Sequence, residues 1–275
     1  MLAEIQILVI VKSGQGEIVA VEMNIGQNTA AGTFVIASLK ASLDFVLPAR
    51  CANCSIRISA HGYLCPACWG KLKLLAAPYC AHCALPFEFD AELGDVCGGC
   101  LQDPPGFDWA RAAVSYDDLG RMLVIRLKFS GAAAAVPAMG QMMMGALAGT
   151  EADVVMPVPL HRSRLLKRRF NQSQLLAADL AGRLTLPLDT FSLRKHRATE
   201  SQGGLNRKAR FRNVQASFDI APGRERCIKG RNILLVDDVL TTGATASVCA
   251  KTLKRAGASS VGIVTFARVG KPVAG

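Results

Sequence analysis

The chain lacks the features of an exported protein. Its first residues, Met1–Glu4, contain no basic group, and the apolar run over residues 5–11 ends at Lys12 without a clear cleavage site. A secretory signal peptide needs a positive amino-terminal region and a small-residue cleavage site. We therefore expect a cytoplasmic protein.

A long uninterrupted apolar segment is also missing. The stretch from Gly131 to Gly149 carries no charge, but Pro137, Gly140 and Gln141 interrupt it and much of it is alanine. A membrane-spanning helix needs about 20 predominantly apolar residues. The sequence predicts an interior helix here and no membrane span.

Cysteine, in contrast, is abundant. Ten cysteines in a chain without an export signal favour metal or redox chemistry over structural disulfides. Eight of them form four successive CxxC pairs: Cys51 and Cys54, Cys65 and Cys68, Cys80 and Cys83, Cys97 and Cys100. One CxxC in a βαβ setting would be typical of redox work. Four pairs in a row predict two structural four-cysteine zinc sites.

The spacing leaves two points open in this block. Adjacent pairs can form successive ribbons, over residues 51–68 and 80–100, or the first and third pairs can share a metal in a cross-braced arrangement. The aromatic residues Trp69, Tyr79 and Phe87 can pack on these small ribbons, or they can form a surface on which nucleic-acid bases stack.

Residues 233–245, with the sequence ILLVDDVLTTGAT, predict a ligand site. Ile233–Val236 has the length and β-branching of a buried parallel strand. Ligands bind beyond the carboxyl ends of such strands, where the N–H groups at a helix start can surround a phosphate. Asp237 and Asp238 can contact ribose hydroxyls or Mg²⁺. The pattern indicates a site for a phosphorylated ribose; the alternative is an ordinary strand, turn and helix with an acid pair facing solvent.

Acidic residues are scarce in the middle of the chain. Between Leu160 and Arg212, the sequence contains thirteen Lys and Arg residues and only three acids. This excess favours capture of a pyrophosphate or binding along the phosphates of nucleic acid, and the two functions are compatible. A solvated basic face is the simpler alternative.

The rest of the chain predicts an α/β protein in three parts. These are an amino-terminal extension of residues 1–38 without a motif, a zinc-ribbon domain of residues 39–106, and a larger domain of residues 107–275. In the larger domain strands alternate with helices, which is typical of a parallel sheet flanked by helices. The predicted strands are Ala110–Tyr116, Val154–Pro157, Ile233–Val236 and Val261–Ala267, and the predicted helices cover residues 118–129, 133–148, 171–184 and 244–256.

Together these segments resemble the ComF (GntX-like) family over about residues 39 to 275. The resemblance rests on the CxxC pairs, on PVPL at 157–160 followed by RRFNQS at 168–173, on TESQ at 199–202, and on DDVLTTG at 237–243. It implies a double zinc ribbon joined to a type I phosphoribosyltransferase fold, with Zn and Mg²⁺ as cofactors. It also implies a role in natural competence, the uptake of DNA.

The resemblance assigns roles to individual residues. Asp237 and Asp238 would be the catalytic pair that contacts the ribose hydroxyls and the metal. Residues 194–213 resemble the loop that closes over the active site in this fold. The residues that would bind phosphoribosyl pyrophosphate are Val239, Leu240, Thr241, Thr242, Gly243, Ala244, Thr245, Pro159, Leu160, Arg168, Arg169 and Arg207.

The acceptor of the ribose is not identified by the sequence. Thr241 stands where relatives that act on purines have an acid, which is more similar to the orotate-type enzymes. Two functions therefore remain: a Mg²⁺-dependent phosphoribosyltransferase, or a non-catalytic competence factor that binds single-stranded DNA or a protein partner and retains the ribose-phosphate pocket.

Overall fold

A computed structural model describes residues 6–12, 18–24, 48–92, 94–129, 132–196 and 217–270. The chain divides into two compact units, Met1–Ala49 and Arg50–Gly275. In the first, strands β1 (Gln6–Lys12) and β2 (Ile18–Asn24) pair antiparallel. No secondary structure was predicted for these residues, although both segments are rich in β-branched residues, which favour strands.

In the second unit, the cysteine block contains two short helices, α1 (Pro66–Trp69) and α2 (Gly98–Gln102). Each begins directly after a cysteine, Cys65 or Cys97, which has an extended backbone at the cap position. The second cysteine of the same CxxC pair, Cys68 or Cys100, lies buried within the helix. This turn geometry brings both sulfurs of a pair to one side of the chain.

A four-stranded parallel sheet forms the centre of the larger domain. Its strands are β3 (Trp109–Ser115), β4 (Val154–Pro157), β7 (Asn232–Leu240) and β8 (Ser260–Arg268), and their order is β3-β8-β7-β4. A separate antiparallel pair joins β5 (Leu193–Lys195) to β6 (Phe218–Ile220), and a 3₁₀ turn covers Glu225–Cys227. The predicted parallel α/β fold is confirmed.

Helices cover both faces of this sheet. They are α3 (Asp118–Phe129), α4 (Ala132–Ala146), α5 (Arg162–Arg168), α6 (Gln172–Leu184) and α7 (Ala244–Arg255). Helices α3, α4 and α6 pack one core with the sheet, around Leu123, Met139 and Leu176. Helix α7 packs the other, through Val248 and Leu253. Burial on both faces explains why the strands read as continuous apolar runs.

Helix α4 occupies the uncharged stretch of the sequence. Met139 and Met143 in this helix are fully buried in the core beside the sheet, as expected for an interior helix. Among the described residues, no helix is long and apolar enough to cross a membrane.

The cysteine block is fixed to one edge of the sheet. The N–H of Leu75 donates to the carbonyl of Ala113 at 2.9 Å, and the N–H of Ser115 donates to the carbonyl of Lys73 at 2.9 Å. These bonds place residues 73–75 antiparallel beside strand β3. The two parts of this unit are therefore joined by backbone pairing as well as by the chain.

Candidate active site and zinc centres

The eight paired cysteines form two clusters, and each cluster combines two neighbouring CxxC pairs. The sulfurs of Cys51, Cys54, Cys65 and Cys68 all lie within 4.8 Å of one another, and so do those of Cys80, Cys83, Cys97 and Cys100. The prediction of two four-cysteine sites is confirmed, and the pairing is sequential rather than cross-braced. The cysteine spacing alone could not distinguish these arrangements.

The sulfur positions fit a tetrahedral zinc ion. Sulfur–sulfur distances are 3.6 Å between Cys54 and Cys65 and 3.7 Å between Cys83 and Cys97. Zinc–sulfur bonds of about 2.3 Å in a tetrahedron separate the sulfurs by about 3.8 Å. Both clusters therefore have the donor set and the size of structural zinc sites.

Backbone N–H groups point at one thiol of each cluster. The N–H of Cys65 donates to Sγ of Cys51 at 3.2 Å, and the N–H of Cys97 donates to Sγ of Cys80 at 3.3 Å. Burial raises the pKa of both thiols, but these and neighbouring N–H bonds outweigh it and lower the pKa of Cys51 to about 6 and that of Cys80 to about 7. Since zinc binds the thiolate, this polarisation favours metal binding.

The two ribbons carry opposite charge. Residues 50–75, here the basic ribbon, contain no acid and four exposed cations, Arg50, Arg57, Lys71 and Lys73. Residues 76–103, the acidic ribbon, contain no Lys or Arg and five exposed acids, Glu88, Asp90, Glu92, Asp95 and Asp103. Only the basic ribbon has the charge to attract a nucleic-acid backbone.

Exposed aromatic side chains occur on both ribbons. Tyr63 is 58% exposed and Trp69 is 50% exposed on the basic ribbon, whereas Phe89 is 65% exposed on the acidic ribbon. The other two aromatic residues considered in the sequence analysis make contacts. Phe87 lies 5.2 Å from the ring of Phe89, and the ring of Tyr79 lies 5.1 Å below the guanidinium of Arg111.

At the carboxyl end of strand β7, Asp237 and Asp238 form a partly buried acid pair. Oδ1 of Asp237 accepts a hydrogen bond from the hydroxyl of Ser173 at 2.8 Å and another from the N–H of Asp238 at 2.9 Å. Oδ2 of Asp238 lies 2.9 Å from Nζ of Lys128. Helices α3 and α6 thus each supply a partner for one acid.

Protons bind Asp237 more tightly than an ordinary aspartate. Burial, and then the negative charge of Asp238, raise its pKa from 3.8 to about 7, although Ser173 and Lys128 oppose the shift. Two carboxylates that repel each other and are partly shielded from water form a site that a cation stabilises. The donor set therefore fits a divalent ion with oxygen ligands.

The segment after the acid pair turns into helix α7. Thr241 and Thr242 are exposed, and Gly243 precedes the helix with a φ of +74°. A side chain at this position would be strained, and its Cβ would contact the ring of Phe107 at 3.5 Å. Gly243 offers no capping group, and the N–H of Ala244, the first of this twelve-residue helix, donates to Oγ1 of Thr242 at 3.4 Å. The N–H groups that follow it in the first turn can bind an anion.

The segment with Pro159 and Leu160, which were predicted to bind phosphoribosyl pyrophosphate, begins beside the same strand. The N–H of Val158 donates to the carbonyl of Val236 at 2.9 Å, directly before Asp237. The carbonyl of Val158 accepts from Nδ2 of Asn171 at 3.1 Å, and Oδ1 of Asn171 caps helix α6 through the N–H of Ser173. Pro159 and Leu160 therefore leave the sheet at the edge that carries the acid pair.

The three arginines that were predicted to bind phosphoribosyl pyrophosphate are not equivalent in the structure. Arg168 donates to Oε1 of Gln172 at 3.2 Å, next to the start of α6. Arg169 is exposed and ends helix α5 with a φ of +66°. Helix α5 itself was not predicted from the sequence. Arg207 lies outside the described residues, as do residues 197–213 of the predicted closing loop, so their roles stay predictions.

Two further features lie close to the acids. Nε2 of Gln172 is buried and has no hydrogen-bond partner among the residues that the structure describes. The pKa of Lys195, at the end of β5, is lowered by burial and then by the positive charge of Arg164, while the charge of Asp237 acts in the opposite direction. The half-buried ammonium of Lys195, which feels the charge of Asp237, adds positive charge to this part of the site.

Lys128, Ser173 and Lys195 were not assigned a role from the sequence. Ser173 could have been found, because it belongs to the RRFNQS segment that carries the family resemblance. Lys195 could also have been found, because it lies in the basic segment between Leu160 and Arg212. Nothing in the local sequence around Lys128 distinguishes it from other helical lysines. Its position becomes apparent only when helix α3 packs against the sheet.

Two segments of the chain match models of known protein families. Residues 42–101 match the family model of the double zinc ribbon domain, and residues 171–273 match that of the phosphoribosyl transferase domain. The chain is 30% identical over 230 residues to the "DNA utilization protein YhgH" of Salmonella typhimurium, which covers 81% of this chain and 98% of that protein.

Two further relatives have names that refer to competence. The "Competence protein F" of Haemophilus influenzae is 28% identical over 228 residues, which cover 80% of this chain and 96% of that protein. The "Competence protein ComFC" of Bacillus subtilis is 29% identical over 215 residues, which cover 74% of this chain and 84% of that protein.

Proposed function

Because the chain belongs to the ComF family, whose members include proteins of competence and DNA utilization, we propose that it is a phosphoribosyltransferase that binds phosphoribosyl pyrophosphate with Mg²⁺ in the cytoplasm. The observation that carries this proposal is the acid pair Asp237–Asp238, followed after residues 239–242 by a helix start at Gly243 that has no side-chain cap. Such a pair can hold ribose hydroxyls while the helix start binds the 5′-phosphate.

In the proposed reaction, the bond between C1 of the ribose and the pyrophosphate oxygen breaks, and the electron pair leaves with the pyrophosphate. A nitrogen of the acceptor then bonds to C1, and its proton passes to water. Asp237 and Asp238 hold the ribose hydroxyls in place while C1 moves, which is a positioning role. The N–H groups and hydroxyls of residues 241–245 hold the 5′-phosphate.

The departing pyrophosphate needs positive partners. Arg168 and Arg169, at the end of helix α5, and the half-buried Lys195, at the end of strand β5, supply them. Mg²⁺, when bound, would offset the charge of the pyrophosphate oxygens and help it to leave. The acids, with the raised pKa of Asp237, are the residues that would hold this ion.

The decisive experiment is calorimetric titration of the purified protein with phosphoribosyl pyrophosphate, with and without Mg²⁺. We expect binding that strengthens with Mg²⁺. No heat of binding at millimolar ligand, in protein that is folded and contains zinc, would contradict the proposal. A chain with Glu225→Gln is a suitable control, because this exposed acid precedes the amino end of strand β7 and should not affect binding.

A second candidate function is binding of single-stranded DNA by the basic ribbon. The observation that favours it is the combination of four cations, no acid, and the exposed rings of Tyr63 and Trp69 in one small domain. Cations attract the phosphates, and bases stack on exposed rings whatever their sequence. This binding is compatible with the enzymatic proposal, since the rings and the acid pair belong to different parts of the chain.

Fluorescence anisotropy with a labelled oligonucleotide tests this second function. Replacing Tyr63 and Trp69 together by Ala should weaken binding at least tenfold, since base stacking contributes about 1–3 kcal/mol per base. Phe89→Ala is the matched control, because Phe89 is exposed on the acidic ribbon. Equal effects of the two changes, or binding that does not weaken as salt is raised, would exclude the basic ribbon as the DNA site.

A further inference from the structure

The side chain of Arg268 connects the second cysteine cluster to the proposed phosphate loop. Arg268 is the last residue of strand β8 and is only 8% exposed. On one side, its Nε donates to the carbonyl of Cys83 at 2.8 Å, and its Nη2 lies 3.7 Å from the sulfur of Cys83. On the other side, its Nη1 donates to the carbonyls of Leu240 at 3.1 Å and Thr241 at 2.7 Å.

These two sets of bonds use the planar shape of arginine. A guanidinium presents five N–H donors in a rigid fork, so one side chain can hold two backbone segments in a fixed relation. A lysine at this position would keep the positive charge but could not reproduce the fork. The bonds to Leu240 and Thr241 fix the direction in which the backbone leaves β7 and enters residues 241–245.

The contact between Arg268 and the second cysteine cluster is also electrostatically favourable. Four thiolates and one Zn²⁺ carry a net charge of −2, and the cluster that contains Cys83 lies in the acidic ribbon. The buried guanidinium of Arg268 offsets part of this charge. Loss of the metal would remove the fixed position of Cys83, and Arg268 would then lose its partner on that side.

The first cysteine cluster has different neighbours. The basic ribbon is fixed to strand β3 through Leu75 and Ala113, and its Gly62 packs against Pro137 of helix α4. Among the hydrogen bonds of the described residues, none joins this ribbon to residues 240–245. The two zinc sites are therefore not equivalent with respect to the proposed phosphate loop.

We propose that Arg268 is a positioning residue that couples the second cysteine cluster, Cys80, Cys83, Cys97 and Cys100, to the loop that binds the 5′-phosphate. Zinc in this cluster holds Cys83, Cys83 holds Arg268, and Arg268 holds the start of the loop. The inference rests on the proposed function, because it takes residues 241–245 as the phosphate site. Coupling of this kind is reciprocal, so the phosphate ligand must also stabilise zinc in the second cluster.

The reciprocal effect can be measured on the unaltered protein. Zinc release to a chromophoric chelator is followed with and without saturating ribose 5-phosphate, which is used because free pyrophosphate itself binds zinc. Release of one of the two zinc ions should become at least several-fold slower, while release of the other stays the same. Release of both ions at unchanged rates, in protein that calorimetry shows to bind ribose 5-phosphate, would overturn the coupling.

The variant Arg268→Lys tests the connecting residue. It should keep two zinc ions and the circular dichroism of the parent, bind ribose 5-phosphate at least tenfold more weakly, and lose the slowing of zinc release. Arg231→Lys is the matched control, because Arg231 is exposed and precedes the amino end of β7. If Arg268→Lys binds the ligand and protects zinc as the parent does, Arg268 has no positioning role.

The two clusters are compared through Cys97→Ser and Cys54→Ser, each of which should remove about one zinc ion. We expect the loss of affinity for ribose 5-phosphate to be at least tenfold greater for Cys97→Ser. Equal losses would overturn the assignment to the second cluster. If the parent protein itself fails to bind ribose 5-phosphate, the proposed phosphate site is wrong and the coupling is wrong with it.

Discussion

Lys128 places its ammonium nitrogen 2.9 Å from Oδ2 of Asp238, so a helix on one face of the sheet neutralises one member of the acid pair. Both side chains are mostly shielded, with 24% and 15% of their surface exposed. The contact has two consequences. It opposes the rise in the pKa of Asp237, which burial and the charge of Asp238 carry to about 7, and it leaves a positive charge where a divalent ion would bind.

The first prediction concerns this lysine. Because the charge of Lys128 lowers the pKa of Asp237, Lys128→Gln should raise the pH at which Mg²⁺-dependent binding of phosphoribosyl pyrophosphate is half developed, by up to about one pH unit. The measurement is calorimetry between pH 6 and pH 9. Lys229→Gln, at an exposed position before β7, is the control. An unchanged or lower midpoint for Lys128→Gln would show that the lysine does not act on the acid pair.

The second prediction is the effect of removing both carboxylate charges. Replacing Asp237 and Asp238 by Asn preserves the size of the side chains. If the acids only cap the following turn, stability should change by less than about 1 kcal/mol and binding should not change. If they hold ribose hydroxyls and Mg²⁺, we expect the folded protein to persist while affinity for phosphoribosyl pyrophosphate falls by about 2–4 kcal/mol.

The loss should be greatest in the presence of Mg²⁺. Calorimetry with and without the ion, together with thermal unfolding of each variant, separates the two roles. A double variant that binds as tightly as the parent would mean that the resemblance to phosphoribosyltransferases describes the fold alone.

The third prediction is a pH dependence of stability. The pKa of Asp237 is raised from 3.8 to about 7, so between these values the folded protein holds a proton that the unfolded chain has released. This group therefore makes stability fall as the pH rises toward about 7, by at most about 1.4 kcal/mol per pH unit. Asp237→Asn removes the effect and should gain stability relative to the parent between pH 6 and pH 7.

Urea unfolding of the parent and of Asp237→Asn at several pH values between 6 and 8 measures the difference between their free energies of unfolding. Groups that titrate equally in both proteins do not contribute to this difference. The gain should level off above about pH 7, where Asp237 is ionised in both states. Glu225→Gln should follow the parent throughout. A constant difference between parent and Asp237→Asn would show that Asp237 has no raised pKa.

The fourth prediction concerns the zinc ions. Metal analysis of the purified protein should give two zinc ions per chain, and less than one would refute the zinc assignment. Cys51→Ser should lose about one ion and unfold the basic ribbon, because the binding free energy of a structural zinc is largely folding free energy. Cys227→Ser, at a cysteine outside both clusters, should keep both ions.

Local sequence was sufficient to predict those features that depend on residues close together in the chain. Strand β4 lies at the predicted residues 154–157 and helix α3 at the predicted residues 118–129, because β-branched runs and apolar periodicity decide these elements. The four CxxC pairs predicted eight zinc ligands, since each CxxC turn by itself places its two sulfurs close together. The acid pair could be assigned to the carboxyl-terminal part of a strand, and Gly243 to the start of the next helix, for the same reason.

Tertiary structure decided what depends on contacts between distant residues. The approach of Lys128 to Asp238 and the bonds of Arg268 to Cys83 and Thr241 join segments far apart in the chain. The folded chain also decided that each cysteine cluster combines neighbouring CxxC pairs and not alternate ones. A spacing rule describes only neighbours along the chain, whereas these contacts exist because the helices and the acidic ribbon pack on one parallel sheet. The sequence thus determined the chemical groups and the order of the elements, and packing determined which groups meet.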